Sequence, residues 1–103
     1  MKREKHVIVI VRTDILPEME EEFNRWYDQE HVPSLLAVPG VLSAKRAVNT
    51  GAGLKYIAIY EHEHINVQHS EAYRKAVDTE WSRRIRPHMK MERDVYEVLG
   101  DNP

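Results

Sequence analysis

Cysteine is absent from this 103-residue sequence, phenylalanine occurs once, and glycine only four times. Without cysteine there can be no disulfide bonds, no thiolate nucleophiles and no zinc sites built on cysteine ligands. The two closely spaced glycines, Gly51 and Gly53, lack the strand-turn-helix context of a phosphate-binding loop. No nucleophile elbow of the Gly-x-Ser-x-Gly type is present, so no hydrolase triad can be recognised.

A large excess of either charge is missing as well. Fifteen basic and seventeen acidic side chains give a formal net charge of -2, and the two signs are interleaved along the chain. Nucleic-acid binding is therefore not expected, because it needs a basic face. The longest apolar run, Val7 to Val11, is too short to cross a bilayer, and no secretory signal precedes it. We expect a cytoplasmic protein with neither nucleic acid nor membrane as a partner.

The composition is otherwise that of an ordinary folded protein. Hydrophobic residues make up 42% of the chain and charged residues 31%. A chain of this length can bury one core but not two, so residues 1–103 are expected to form a single domain.

Periodicity predicts alternating strands and helices. Strands are predicted over residues 6–12, 41–48, 55–62 and 91–99. A helix opens at Pro17, buries an aromatic stripe and is expected to be interrupted by Pro33, since proline lacks the N–H that a helix needs. Ser70 is predicted to cap a later helix, and Thr79 to cap a further turn.

The resulting β-α-β-β-α-β order is the split βαβ pattern. Right-handed crossovers then place the first and third strands in the middle of a four-stranded antiparallel sheet with both helices on one face. The predicted fold class is α+β, ferredoxin-like. Tyr56, Tyr60 and Tyr96 are assigned to the bare face, which a second copy would cover to give a homodimeric α/β barrel.

Three segments carry a family resemblance. Residues 23–33 (FNRWYDQEHVP), 38–44 (VPGVLSA) and 79–88 (TEWSRRIRPH) resemble the small dimeric α/β-barrel proteins related to the EthD-like group. The resemblance implies the ferredoxin-like fold and the dimer, and suggests that the Glu-His-x-Pro element borders a ligand cavity. Relatives of this architecture include cofactor-free oxygenases, isomerases, polyketide cyclases and haem proteins, so the fold alone does not select a reaction.

His31 is the candidate catalytic residue. It lies four residues after Tyr27 on the apolar side of the first helix, where an imidazole can point into a cleft between helix and sheet. There it could act as a general acid or base near neutral pH. In the alternative interpretation, His31 donates to a backbone carbonyl and fixes the end of the helix.

Several neighbours are candidate ligand-binding residues. The aromatic rings of Trp26 and Tyr27 can line the cavity or belong to the core. Trp81 beside Arg84 suits a flat, anionic ligand such as an aromatic carboxylate. Alternatively, Trp81 is core and Arg84 pairs with Glu80.

Two further candidates lie on strands, and other basic residues are given no binding role. Arg46 either points inward among apolar groups or lies on a face that is solvated near the strand end. If it is buried it needs a partner, for which Glu30 or a ligand carboxylate could serve. Tyr60 completes the candidate ligand contacts. Arg83 and Arg86 are assigned to the surface. No metal site is expected, because no framework fixes the geometry of His62, His64, His69 and His88.

The preferred functional hypothesis is a small-molecule enzyme without a cofactor. His31 would transfer protons on an aromatic or carbonyl-bearing metabolite, in a lyase, isomerase, cyclase or oxygenase reaction. One alternative is a non-catalytic dimeric ligand-binding or accessory protein. Another is a haem-binding relative with a histidine as axial ligand, although no single histidine stands out for that role.

Overall fold

The computed structural model describes residues 6–100, which form a four-stranded sheet in the order β2-β3-β1-β4. All neighbouring strands are antiparallel. The first and third strands are central, which confirms the predicted ferredoxin-like α+β topology. The strands are β1 (Val7–Ile15), β2 (Val41–Val48), β3 (Tyr56–His62) and β4 (Met89–Glu97).

The helices cover one face of this sheet. Ser70 caps the third helix by accepting from the Tyr73 N–H (3.1 Å), and Thr79 caps the fourth by accepting from the Ser82 N–H (3.0 Å), which confirms both predicted caps. Within residues 6–100, no helix is long and apolar enough to cross a membrane. The helices are α1 (Glu20–Trp26), α2 (Val32–Leu36), α3 (Glu71–Val77) and α4 (Glu80–Ile85).

Burial along β1 alternates with the period of a strand. Val7, Val9 and Val11 are buried beneath the helices, while Ile8 and Ile10 on the other face are half-buried. The core is completed by aromatic and aliphatic side chains of the helices and of β3: Phe23, Trp26, Tyr27, Leu35, Ala58, Tyr60 and Ile85. One face of the sheet therefore carries the core, and the other is open.

The assignment of Tyr56 and Tyr60 to the open face is wrong. Tyr60 pairs with Val9 across the β1–β3 ladder, and residues directly opposite each other share a face. Tyr60 is accordingly buried on the helix side, and Tyr56, which is partly buried, packs against the same core. Tyr96 pairs with Ile8 and does lie on the open face, 48% exposed.

The first helix does not end at Pro33. Residues Tyr27–His31 form a π-helical turn that joins α1 to α2 without a break, and the Val32 N–H donates to the carbonyl of Tyr27, five residues earlier. Pro33 stands in the first turn of α2, where the missing N–H of a proline is tolerated. The helical segment therefore continues through Pro33 to Leu36. The sequence predicted an interruption at Pro33.

A tight turn then returns the chain to β2. Gly40 has a φ of +94°, and a Cβ at this position would lie 2.5 Å from Cγ2 of Val67. Both the backbone conformation and the close approach require glycine. This turn sets where α2 stops and β2 begins.

Candidate functional site

A cavity of about 310 Å³ lies between the helices and the sheet, on the side of β4. The sheet contributes Val11, Tyr60 and part of β4, and the aromatic wall comes from the first helix and α3. Four of its lining residues, among them Met91, are exposed, so the cavity opens to solvent. The lining residues are Val11, Trp26, Tyr27, His31, Leu35, Tyr60, Gln68, Tyr73, Arg74, Val77, Arg86, Met89, Met91 and Arg93.

His31 lines this cavity at the end of the π turn. Its ring stacks on Trp26, with ring centroids 4.3 Å apart and an angle of 22° between the planes. It also meets the edge of Tyr27 at 5.1 Å. Residues five apart lie on different sides of a regular α-helix, so the π turn is what brings His31 over Trp26. The structure thus places His31 and Tyr27 together at a cavity.

Burial strongly perturbs the His31 imidazole. Its pKa is lowered from 6.5 to about 4, chiefly by loss of hydration and, in the same direction, by the charges of Arg86 and Arg46. At neutral pH the ring is therefore uncharged and has a nitrogen lone pair available to accept a proton.

Trp26, on which His31 stacks, takes part in a hydrogen-bonded contact between the first helix and the N-terminus of α4. Its Nε1 donates to the Glu30 carboxylate (3.1 Å), and the same carboxylate oxygen accepts from the Thr79 hydroxyl (2.7 Å). Thr79 caps α4. Glu30 is thus engaged by the helix layer and is not the partner of Arg46.

Tyr60 contributes a phenol that interacts with the neighbouring Tyr27 phenol but makes no hydrogen bond of ordinary geometry within residues 6–100. The residue is 2% exposed, lines the cavity, and its Oη is buried. Burial, reinforced by the neighbouring phenols Tyr27 and Tyr73, raises the Tyr60 pKa far above its usual value. The hydroxyl therefore stays protonated and is free to donate to a ligand.

Arg46 lies behind the cavity wall rather than in it. Its guanidinium carbon is 4.1 Å from the centre of the Tyr27 ring, and its Nη2 donates to Oδ1 of Asn24 (2.9 Å). Asp28 provides a carboxylate at 3.7 Å. The side chain points inward, which is one of the two alternatives that the sequence left open, but its partners are Asn24 and Asp28, and its influence on the site is electrostatic.

The structure does not bring Trp81 and Arg84 to the cavity. Neither lines it. Trp81 packs against the core, with its Nε1 buried and unpartnered. Arg84 pairs with Glu22 (3.3 Å) on the surface, not with Glu80.

The cavity is lined by three arginines to which sequence reasoning gave no binding role, although Arg86 was assigned to the surface and is exposed there. Arg74 on α3, Arg86 after α4 and Arg93 on β4 all line it. Arg93 lies between Met91 and Val95 on one face of an alternating strand. This alternation was the signal available in the sequence, since it groups Arg93 with the apolar Met91 and Val95 on one face of β4. In the structure that face is the one on the side of the helices.

Metal ligation has no cluster to support it. Within residues 6–100, no three His, Asp or Glu side chains form a group that could hold an ion. His62 is buried with an unpartnered Nδ1, and burial lowers its pKa. Its ring contacts Tyr73 at 5.7 Å.

The chain matches no protein-family model and no curated protein. Solved structures, however, share its architecture. A Bordetella bronchiseptica protein named as a candidate antibiotic-biosynthesis monooxygenase superposes with a TM-score of 0.70 at 16% identity, covering 95% of this chain and 99% of that one. The likeness is one of fold.

Two further structures extend this comparison. SnoaB, a cofactor-independent oxygenase from Streptomyces nogalater, gives a TM-score of 0.64 at 15% identity, covering 96% of this chain and 98% of its own. A candidate monooxygenase from Shewanella loihica gives 0.69 at 15% identity, with 93% and 96% covered. These neighbours support the ferredoxin-like class, and none supports the finer assignment to the EthD-like group.

Proposed function

We propose that this protein is an enzyme that needs no cofactor and removes a proton from an aromatic or carbonyl-bearing small molecule. His31 is the base. One observation carries the proposal: the His31 imidazole, stacked on Trp26, and the buried hydroxyl of Tyr60 line the same cavity. A proton acceptor and a hydrogen-bond donor at one cavity are the parts that enolate or phenolate formation requires.

The chemistry follows from the two groups. A neutral imidazole of His31 takes a proton from the substrate, from a phenolic hydroxyl or from a carbon next to a carbonyl. The negative charge that develops on the substrate oxygen is stabilised by a hydrogen bond from the Tyr60 hydroxyl. Because the Tyr60 pKa is raised, its hydroxyl keeps its proton and acts as a donor, not as a competing base.

Within this chemistry we favour an oxygenase, because SnoaB and the candidate monooxygenases share the fold. The substrate carbanion would transfer electrons to molecular oxygen and form a carbon–oxygen bond. The imidazolium of His31 would protonate the resulting peroxide. Loss of the remaining proton from that carbon, with cleavage of the O–O bond, gives a carbonyl and water. Overall, a CH₂ group and O₂ become C=O and H₂O.

Isomerase, lyase and cyclase reactions begin with the same proton transfer and consume no oxygen. Oxygen uptake therefore separates them from the oxygenase within a single assay. A protein that only binds its ligand would show neither uptake nor product.

The deciding experiment compares His31→Gln with the wild type on hydroxynaphthalene and naphthol-ketone substrates, with no flavin, nicotinamide or metal added. We expect turnover to fall by roughly 10²- to 10⁴-fold, the usual contribution of general acid-base catalysis. Oxygen uptake by electrode and product by mass spectrometry provide the measurements.

The matched control is His69→Gln, since His69 is exposed and lies outside the cavity lining. It should retain wild-type turnover. Wild-type turnover in a folded His31→Gln protein would refute the assignment of His31 as the base.

A further inference from the structure

The arginines divide into two groups. Eight arginines lie within residues 6–100. Five of them, Arg12, Arg25, Arg46, Arg83 and Arg84, pair with a carboxylate. The other three, Arg74, Arg86 and Arg93, have no carboxylate within ion-pair distance in that part of the chain, and all three line the cavity.

The three unpaired guanidiniums come from separate elements. Arg74 belongs to α3, Arg86 to the turn after α4, and Arg93 to β4. Their convergence on one cavity is therefore a product of the fold and not of a local charge run. No acidic side chain is among the lining residues.

Two of these arginines are already oriented by uncharged groups. The Nη2 of Arg86 donates to the carbonyl of Val77 (2.8 Å). The Nη2 of Arg93 donates to Oε1 of Gln68 (2.8 Å) and contacts the Tyr73 hydroxyl at 3.5 Å. Each contact uses one nitrogen of a guanidinium that carries five N–H donors. Most of each fork stays available to a planar, two-oxygen acceptor.

We propose that the substrate is an aromatic carboxylate, whose carboxyl group is bound by Arg86 and Arg93, with Arg74 beside them, while its ring enters the aromatic interior next to His31 and Tyr60. This inference rests on the proposed function, since it names the substrate class of the same cavity. The cavity volume of about 310 Å³ is at the lower end of the usual range for ligand pockets. A molecule of two fused rings is therefore a suitable probe.

An anionic substrate also answers a chemical difficulty. A base is most effective when its pKa is near the working pH, whereas the His31 pKa in the free protein is about 4. The groups that face His31 are the rings of Trp26 and Tyr27 and the charges of Arg86 and Arg46. A carboxylate bound at Arg86 offsets one of these two positive charges, so the imidazole becomes a stronger base when substrate is present.

The test compares two probes of equal shape, 1-hydroxy-2-naphthoate and 1-hydroxy-2-naphthamide, by calorimetry in the absence of oxygen. We expect the carboxylate to bind about 10- to 100-fold more tightly than the neutral amide, the usual value of one or two charge-assisted hydrogen bonds. Arg86→Gln and Arg93→Gln should remove most of this preference and leave the amide affinity nearly unchanged. Arg83→Gln, which removes the same charge outside the cavity, should preserve the preference.

The outcomes separate this inference from the proposed function. Equal affinity for the two probes, or binding of neither, would overturn the carboxylate inference, even if His31-dependent turnover of another substrate were found. A carboxylate preference that Arg86→Gln and Arg93→Gln abolish would support it, even if no turnover were detected. Retention of the preference in both variants would place the anion elsewhere and refute the assigned residues.

Discussion

The protonation of His31 is determined by its surroundings. The ring lies between Trp26 and Tyr27, and two guanidiniums oppose its positive charge. Each contact penalises the imidazolium more than the neutral ring, because the aromatic neighbours displace water and the arginines repel a cation. The same contacts that make His31 available as a proton acceptor therefore make the folded state sensitive to acid.

The first residue-scale prediction concerns stability against pH. The His31 pKa is about 4 in the folded protein against an ordinary 6.5, so between these values the unfolded chain binds a proton that the folded chain does not. The His31 contribution is thus intact above pH 6.5 and is lost as the pH falls to about 4. We expect this residue to account for a loss of roughly 3 kcal/mol in the free energy of unfolding.

Urea denaturation of the wild type and His31→Gln across this range measures the effect. Burial also lowers the His62 pKa, which adds a loss of the same sign in both proteins, so only their difference reports on His31. The difference should change by roughly 3 kcal/mol between pH 7 and pH 4. A constant difference, or an NMR titration of the His31 ring near 6.5, would contradict the perturbed pKa.

The second residue-scale prediction concerns the hydroxyl of Tyr60. A buried polar group without a partner costs about 1 to 3 kcal/mol, and the Tyr60 Oη is in that state in the described structure. Tyr60→Phe should therefore leave the free energy of unfolding unchanged or raise it by about 1 kcal/mol. Turnover should nevertheless fall roughly 10²- to 10³-fold, because a donor to the developing oxyanion is lost.

Tyr56→Phe is the matched control. Tyr56 lies on the same face of β3 as Tyr60, and its hydroxyl donates to Glu20. This substitution should lower stability by roughly 0.5 to 1.5 kcal/mol without affecting turnover. Marked destabilisation by Tyr60→Phe would show that its hydroxyl is satisfied after all and remove the argument for a ligand donor.

Local spacing located some of these residues and not others. The four-residue separation of Tyr27 and His31 indicated one helix face, and both side chains do line the cavity. Trp81 and Arg84 looked equally suitable, but their side chains turn to the core and to Glu22. The three cavity arginines are far apart in sequence, so only tertiary packing brings them together.

At the scale of elements, strand and helix order followed from periodicity. Two details depended on tertiary structure: which face of β3 is buried, and whether the first helix continues past Pro33. In β3, tyrosines on one face and isoleucines on the other offer similar bulk, so periodicity alone does not indicate which side is buried. The register with β1 decides it by placing Tyr60 opposite Val9. Pro33 was expected to break the helix, yet the first turn of α2 accommodates it, and the π turn before it positions His31 over Trp26.

At the scale of the whole molecule, the helices cover only one face of the sheet. Ile8 and Ile10 of β1 lie beside Ile57 and Ile59 of β3 on the other face, and Tyr96 of β4 extends this apolar area. Arg12 lies on the same face opposite Ile57, and it forms an ion pair with Asp94 of the edge strand β4, which lies opposite Ile10. A surface that combines apolar side chains with charges of both signs can pair with a copy of itself about a twofold axis.

We therefore retain as a proposal the homodimer in which two open sheet faces pack together as an α/β barrel. Ile59 is the most informative position, because β3 is flanked on both sides and Ile59 lies next to Ile10 across the ladder. Ile59→Lys should give a folded monomer in sedimentation equilibrium at micromolar concentration, where the wild type sediments as a dimer. An unpaired ammonium buried in an interface costs more than the lost apolar contacts alone, whereas a lysine at a half-buried position of the monomer can extend its ammonium to water.

Ile65→Lys is the control, since Ile65 is exposed away from the sheet and its substitution should leave the dimer intact. If the wild type itself sediments as a monomer with native circular dichroism, water covers the open face and the barrel model fails.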